Sequence, residues 1–312
     1  ADRPRLHGRP FPWHGLYGDG QRQDAILADP RDEAVITVDF RFVTSEERSE
    51  SAWIKRSGEH ELQGRLVWVA GSRAPVLEVA RELGKTRSMI KRYDGRKESL
   101  PTARRHLLDH EKDRSEALEK RLQSAVTDAF MAGTIFFRAN PLRPGDMGAS
   151  FVNALVAAGT RVLPEVYPYF ITTNLTPGEL IPLIEKDLSG PSPKLVHDLK
   201  ILDLDNGRYE PACTGLVPSQ VREKIEADEG IGGTSLLAHF GAPPYGYTIN
   251  VIKACTIGLL RAGKVRIQLE SGDMLTGHGD TGARDLIEKD RTFRRATIYK
   301  AVDDGISPQA RA

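Results

Sequence analysis

Residues 212–270 read ACTGLVPSQVREKIEADEGIGGTSLLAHFGAPPYGYTINVIKACTIGLLRAGKVRIQLE. The stretch divides itself at its own breakers. A helix is expected over 218–228, then a break at Gly232-Gly233 and a short helix over 234–240. GAPPYGY (241–247) is a rigid turn, 249–262 a further helix and 264–270 a strand. Within 249–262, Ile249, Ile252, Cys255, Leu259 and Leu260 recur at helical spacing and form a buried stripe. Asn250, Lys253, Ile257 and Arg261 then fall on the opposite, exposed face. Gly263 ends the helix. Pro243, Pro244 and Gly246 set the angle between the two helices, because proline fixes φ and glycine accepts conformations that other residues resist. Tyr245 and Tyr247 pack their rings at that corner.

Helix, turn, helix and strand, followed by a polar turn at SGDM (271–274), is the plan of a winged-helix-like domain over 231–300. In that plan the second helix can enter a DNA groove. The same plan serves equally well to pack against a neighbouring domain, and the pattern leaves both open. Charge bears on the choice. Residues 231–300 hold ten Lys and Arg against six Asp and Glu, a local +4 in a chain of net +1. Lys253 and Arg261 on the helix, with Lys264 and Arg266 on the adjoining strand, are therefore the candidate nucleic-acid-binding residues. Their contacts would go mostly to phosphate.

Upstream, a mainly helical region is expected over 141–230. Phe151, Val152, Leu155, Val156, Val162 and Leu163 mark a helix that Pro164 stops. TPGE (176–179) is a capping box with proline at the first helical position. KILDLDNGRYEPA (200–212) is a hairpin turning at Asn206-Gly207. Residues 1–140 form a small α/β unit. It opens with an irregular arm (1–33) pinned by Phe11, Trp13 and Tyr17 and continues with an alternating strand over 34–43. A more continuously apolar strand lies at RLVWVAG (65–71), followed by a helix over 75–92. A long helix runs over about 101–131, nearly all charged in its first half and apolar at Leu118, Leu122, Ala125, Val126, Ala129 and Phe130 in its second. Gly133 is placed to end it, and GTIFFRA (133–139) is a third strand. Residues 301–312 are a tail. The fold class is α+β.

The 312 residues, 39% hydrophobic and 28% charged, suffice for two or three domains with real cores. A net charge of +1 confines any nucleic-acid role to a local patch. No stretch approaches the roughly 20 apolar residues of a membrane span. Cys213 and Cys255 have no partner motif, which points to a reducing, cytoplasmic setting. The first residue is alanine, which suggests a segment cut from a longer protein. Gly84-Lys85-Thr86 ends like a phosphate-binding loop, but Val79 stands where that loop needs its first glycine, and the surrounding period is helical. VITVD (35–39) ends in the aspartate such loops work with, and reads as a plain strand. His106 and His110 share a helix face, yet Leu107 replaces the glutamate of a zinc-protease helix and the neighbours are charged. His278 and Asp280 sit in a glycine-rich turn. DLDNG (202–207 region) lacks the acids of a calcium loop. No catalytic, metal or cofactor site is expected.

GLVPSQVREKIEADEGIGGTSLLAHFGAPPYGY and LLRAGKV resemble the large P-loop proteins of bacterial phage-defence loci, the BrxC/PglY kind of BREX and Pgl systems. DPRDEAVITVDFRF, RLVWVAG and AFMAGTIFFRA resemble segments of the same proteins in the same order, over about residues 25–300. Those full-length proteins are P-loop ATPases, and their ATPase motifs have no counterpart here. The resemblance implies a non-catalytic segment of a phage-defence ATPase, acting in double-stranded DNA contact and in assembly with other defence proteins. The alternative is a protein-interaction scaffold without nucleic-acid binding.

Overall fold

The computed structural model describes residues 2–18, 25–30, 34–43 and 49–301. It is of the α+β class and forms two compact units, Ala1–Arg31 with Val35–Val166, and Asp32–Ala34 with Tyr167–Ala312. The boundary expected at 140/141 therefore lies at 166/167, and no separate unit covers 141–230. The expected tail beyond residue 301 lies outside the described residues.

In the first unit a β-hairpin, β1 (Arg5–Leu6) and β2 (Arg9–Pro10), precedes β3 (Trp13–Gly18) and β4 (Ala25–Ala28). Then come β5 (Ile36–Arg41), α1 (Glu50–Ser57), β6 (Arg65–Val69), α2 (Ala74–Asp94), α3 (Thr102–Met131), β7 (Thr134–Phe137) and β8 (Asn140–Leu142). A short α4 (Pro144–Met147) and α5 (Phe151–Val166) close the unit. The sheet order is β4-β3-β5-β6-β7-β8. β3, β5 and β6 run parallel, and the remaining pairs are antiparallel. The arm expected to be irregular thus supplies the β1–β2 hairpin and two strands of this sheet, with Trp13 to Gly18 in register with Ile36 to Arg41. Its glycines and histidine hide the alternation, while Trp13 packs beside Gly159 of α5 and Tyr17 lies 6.4 Å from Phe42, so the rings expected to pin the arm do make contacts. β6 and β7 are adjacent and antiparallel because the connection between them is a helical hairpin. Two long antiparallel helices return the chain to the end of the sheet it left.

Trp68 is fully buried on one sheet face, stacked on Phe151 at 4.7 Å, and its indole N–H donates to the Phe130 carbonyl at 2.8 Å. That stack is why α5 belongs to the first unit. Val43, Trp53, Val67, Val69 and Phe136 fill the other face. Gly133 follows α3 for a steric reason: a Cβ there would come within 2.0 Å of the Val69 carbonyl oxygen. α5 also runs through Pro164 to Val166 and is not stopped by it. Only the last turn follows the proline, so a single helical hydrogen bond is forgone.

In the second unit a short α6 (Pro177–Leu180) opens on a capping box. The Thr176 N–H donates to Glu179 at 2.8 Å, and this bond, with help from Lys194, Ser192 and the Thr176 hydroxyl, holds the Glu179 carboxyl down at about 2. β9 (Leu202–Asp205) and β10 (Arg208–Pro211) form a hairpin whose turn residues, Asn206 and Gly207, both have positive φ, as a type I′ turn requires. Then follow α7 (Leu216–Ala227), β11 (Ile231–Gly232), α8 (Gly233–Gly241), α9 (Ile249–Arg261), β12 (Val265–Gln268), β13 (Met274–Leu275), α10 (Ala283–Glu288), α11 (Asp290–Arg295) and β14 (Thr297–Lys300). The sheet order is β11-β14-β12-β13. At the corner before α9, Gly246 has φ +70° and its α-carbon faces the Tyr167 ring closely. Tyr247 stacks on Phe240 and donates its hydroxyl to Gln220 at 2.8 Å.

α9 is the centre of this unit. Every residue from Val251 to Leu260 is buried. The face expected to be exposed is covered in part by the segment that precedes the domain and, at Lys253, by α10 and α11. Asn250 donates its side-chain amide to the Leu175 carbonyl at 2.7 Å, and a Cβ on Gly258 would meet Ile201 at 2.4 Å. A helix apolar all round belongs inside a core, and VIKACTIGLL carries one charge in ten residues.

Candidate nucleic-acid interface

The four cations expected to face DNA are committed inside the second unit. Lys253 has 0% exposure. Its ammonium donates to the Ile287 carbonyl at 2.9 Å and to Asp290 at 2.7 Å, so it ties α9 to the start of α11. The Arg261 guanidinium caps the turn after α6, donating to the carbonyls of Leu183 at 3.1 Å, Lys186 at 3.0 Å, Glu185 and Pro182. Lys264 donates to the Ala212 carbonyl at 3.2 Å. Arg266 lies over the Tyr299 ring, 5.5 Å from its centroid. The expectation of a solvent-facing cationic surface on α9 is thus corrected. The physical reason is the second layer over α9, where Lys253, Arg261 and Lys264 turn inward to donate to backbone carbonyls while Arg266 stacks on Tyr299.

The other candidates resolve similarly. Gly84, Lys85 and Thr86 lie in the interior of α2, where helical hydrogen bonding occupies the backbone amides that a phosphate loop would present. Asp39 is buried and pairs with Arg41 at 2.7 Å. Asp280 accepts from the backbone N–H groups of Thr276 and Gly277 at 2.6 and 2.9 Å, which makes it the staple of its own turn. Burial, then the nearby Arg261 charge, lowers the pKa of His278. Burial pushes the Cys213 thiol up to about 12 and raises Cys255 as well, so neither is a ready nucleophile at neutral pH. His106 and His110 are exposed on α3, and among the described residues no group of acids, histidines and cysteines could hold a metal ion.

Exposed cations concentrate elsewhere, at the distal end of the α2–α3 hairpin. Residues 81–105 hold nine Lys and Arg against three Asp and Glu, a net +6. Three ion pairs belong to the hairpin's own architecture: Lys97–Asp109 and Lys112–Asp94, both at 2.6 Å, and Arg87–Glu119 at 2.9 Å. The Lys97 hydrogen bond lowers the Asp109 pKa, and that of Asp94 raises Lys112. Arg81, Lys85, Lys91, Arg92, Arg96 and Arg104 form no ion pair among the described residues. All six side chains are exposed. Arg81, Lys85, Ser88 and Arg92 line one shallow concavity with Gly84 between them. Steps of four, three and four residues keep them on one helix face, about 16 Å long at 1.5 Å per residue. Gly84 has open space where a side chain would stand, so backbone can approach closely at the middle of the stripe.

Comparison with family models, curated proteins and solved structures finds no match to this chain. The reading of the site rests on its own chemistry. The signal for this patch was in the sequence as a charge count over the helix 75–92 and the start of the next. A count over 231–300 finds a smaller excess, and one that the fold consumes.

Proposed function

We propose that the chain is a non-catalytic segment that contacts nucleic acid through the α2–α3 hairpin and serves in the assembly of a larger complex. One observation carries the reading. Six exposed cations that form no ion pair among the described residues sit on a helical hairpin, and three of them share one helix face with Gly84. Such a stripe suits the phosphate backbone, since each strand of a duplex presents a phosphate about every 3.4 Å of helix axis and phosphates attract cations regardless of sequence. The resemblance to BrxC/PglY-type proteins supports a setting in a phage-defence ATPase. In this reading the α7–β11–α8–α9–β12–β13 series is a winged-helix-like module used for packing, with its second helix as core.

The test is titration of a fluorescent duplex. At low salt the expected affinity is roughly micromolar, falling steeply as salt rises. Replacing Arg81, Lys85 and Arg92 by Gln should remove about three phosphate contacts and flatten the logarithmic salt slope by about 2.7. Lys253→Met should change neither. No binding at low salt, or binding indifferent to the triple substitution, overturns the reading. The scaffold alternative draws on one feature of the same hairpin: Leu107 and Met89 are 66% and 47% exposed. Polyglutamate that competes as well as duplex would favour it.

A further inference from the structure

Resting on that reading, we propose that the hairpin tip is a single-strand site, in which Tyr93 stacks an unpaired base while the α2 stripe holds the backbone. The stripe does not end in charge alone. Beside it, between the end of α2 and the start of α3, lies a groove of about 350 Å³ whose apolar wall includes Met89, Ile90, Leu100 and Leu107. Tyr93 borders both this groove and the cationic concavity. Tyr93 is 37% exposed, and the Arg92 guanidinium carbon lies 5.7 Å from the ring centroid. An exposed aromatic ring next to a cationic track is the arrangement by which single strands are held, because every base offers a π-face and every link a phosphate.

Two polar residues, Arg104 and Glu111, also line the groove. Arg104 stands at its rim as a donor. Glu111 forms part of its wall, and its Oε2 is buried with no hydrogen-bond partner among the described residues. A duplex cannot use the exposed ring. Its bases are stacked on one another and leave no free face for Tyr93, so a duplex gains only the phosphate contacts. The groove therefore favours unpaired nucleic acid, DNA or RNA, over the duplex that the stripe alone would accept.

The experiment compares short labelled oligo-dC, oligo-C and a duplex at pH 7.5 on the full chain. Wild type should bind a single strand more tightly than duplex, and the tighter of the two single strands names the source. Tyr93→Ala should weaken single-strand binding roughly 5- to 100-fold and leave duplex binding unchanged. Tyr93→Trp should restore it. Equal affinity for single strand and duplex, with Tyr93→Ala affecting neither, overturns the stacking proposal while the phosphate reading stands. Survival of both affinities in the Arg81, Lys85, Arg92 triple substitution overturns the underlying reading and this proposal with it. Polyglutamate competing as well as oligo-dC assigns the groove to an acidic protein and overturns the proposal as well.

Discussion

Lys253 shows how a residue's type and its environment can point to different roles. A lysine on an amphipathic helix usually marks the solvated face, yet this one is enclosed with its charge neutralised by Asp290. Removing one member of a buried pair is severe when the other is left buried and charged. Asp290 is 62% exposed and keeps its own water, so only the Ile287 carbonyl is left without its donor. Lys253→Met, which preserves the length of the stem, should therefore cost only about 1 kcal/mol. Arg261→Ala should cost more, about 2–3 kcal/mol, because one guanidinium serves several carbonyls of the turn after α6. Chemical denaturation measures both. The reverse order would show that Lys253 holds more than the contacts named. Burial, then the Asp187 charge, govern Arg261, which loses some basicity to the first and keeps its charge at any ordinary pH.

At the scale of the element, the long helices and the strands β5, β6, β7 and β12 were legible in the sequence, and α1, α10 and α11 were not. α2, α3, α7, α8 and α9 fall within about two residues of the boundaries that apolar period and breakers give, since long periodic segments bounded by Pro and Gly leave few choices. β3 was not legible, because WHGLYG is held by neighbours on both sides and carries no clear alternation of its own. The burial of α9 was not legible from its stripe either. Part of what covers its second face precedes α7 in the chain, and a helical period records no layer brought in from elsewhere. Lys253, Arg261, Lys264 and Arg266 were read as solvent-facing for the same reason, whereas the charge excess of the α2–α3 patch could be read from the sequence alone. α2 carries its own prediction. Gly84 lies in an exposed helix interior, and an added Cβ meets nothing within 4 Å. Gly84→Ala should raise stability by about 1 kcal/mol through the unfolded chain's lost freedom. A gain in melting temperature checks it. A loss would show that the backbone at Gly84 adopts a conformation outside the helix, as a phosphate loop would demand.

At the scale of the whole molecule, a net charge of +1 is a poor guide to what the protein attracts. Residues 81–105 contribute +6, which leaves −5 for the rest of the chain. A polyanion is thus drawn to one local field against a weakly unfavourable remainder, and attraction of this kind decays within about 10 Å at ordinary ionic strength. Local placement should therefore matter and total charge should not. Two triple substitutions separate these. Arg81, Lys85 and Arg92 to Gln, and Arg284, Lys289 and Arg291 to Gln, each take the net charge from +1 to −2, and all six side chains are exposed. On a heparin column, wild type and the second variant should elute together at higher salt, and the first variant well before them. Arg284 and Lys289 are already engaged with Glu288 and Asp285 at 2.7 and 2.9 Å, which further limits what the second set can offer a polyanion. Co-elution of the two variants, both earlier than wild type, would mean that retention follows net charge, and the hairpin would lose its claim to be the contact surface.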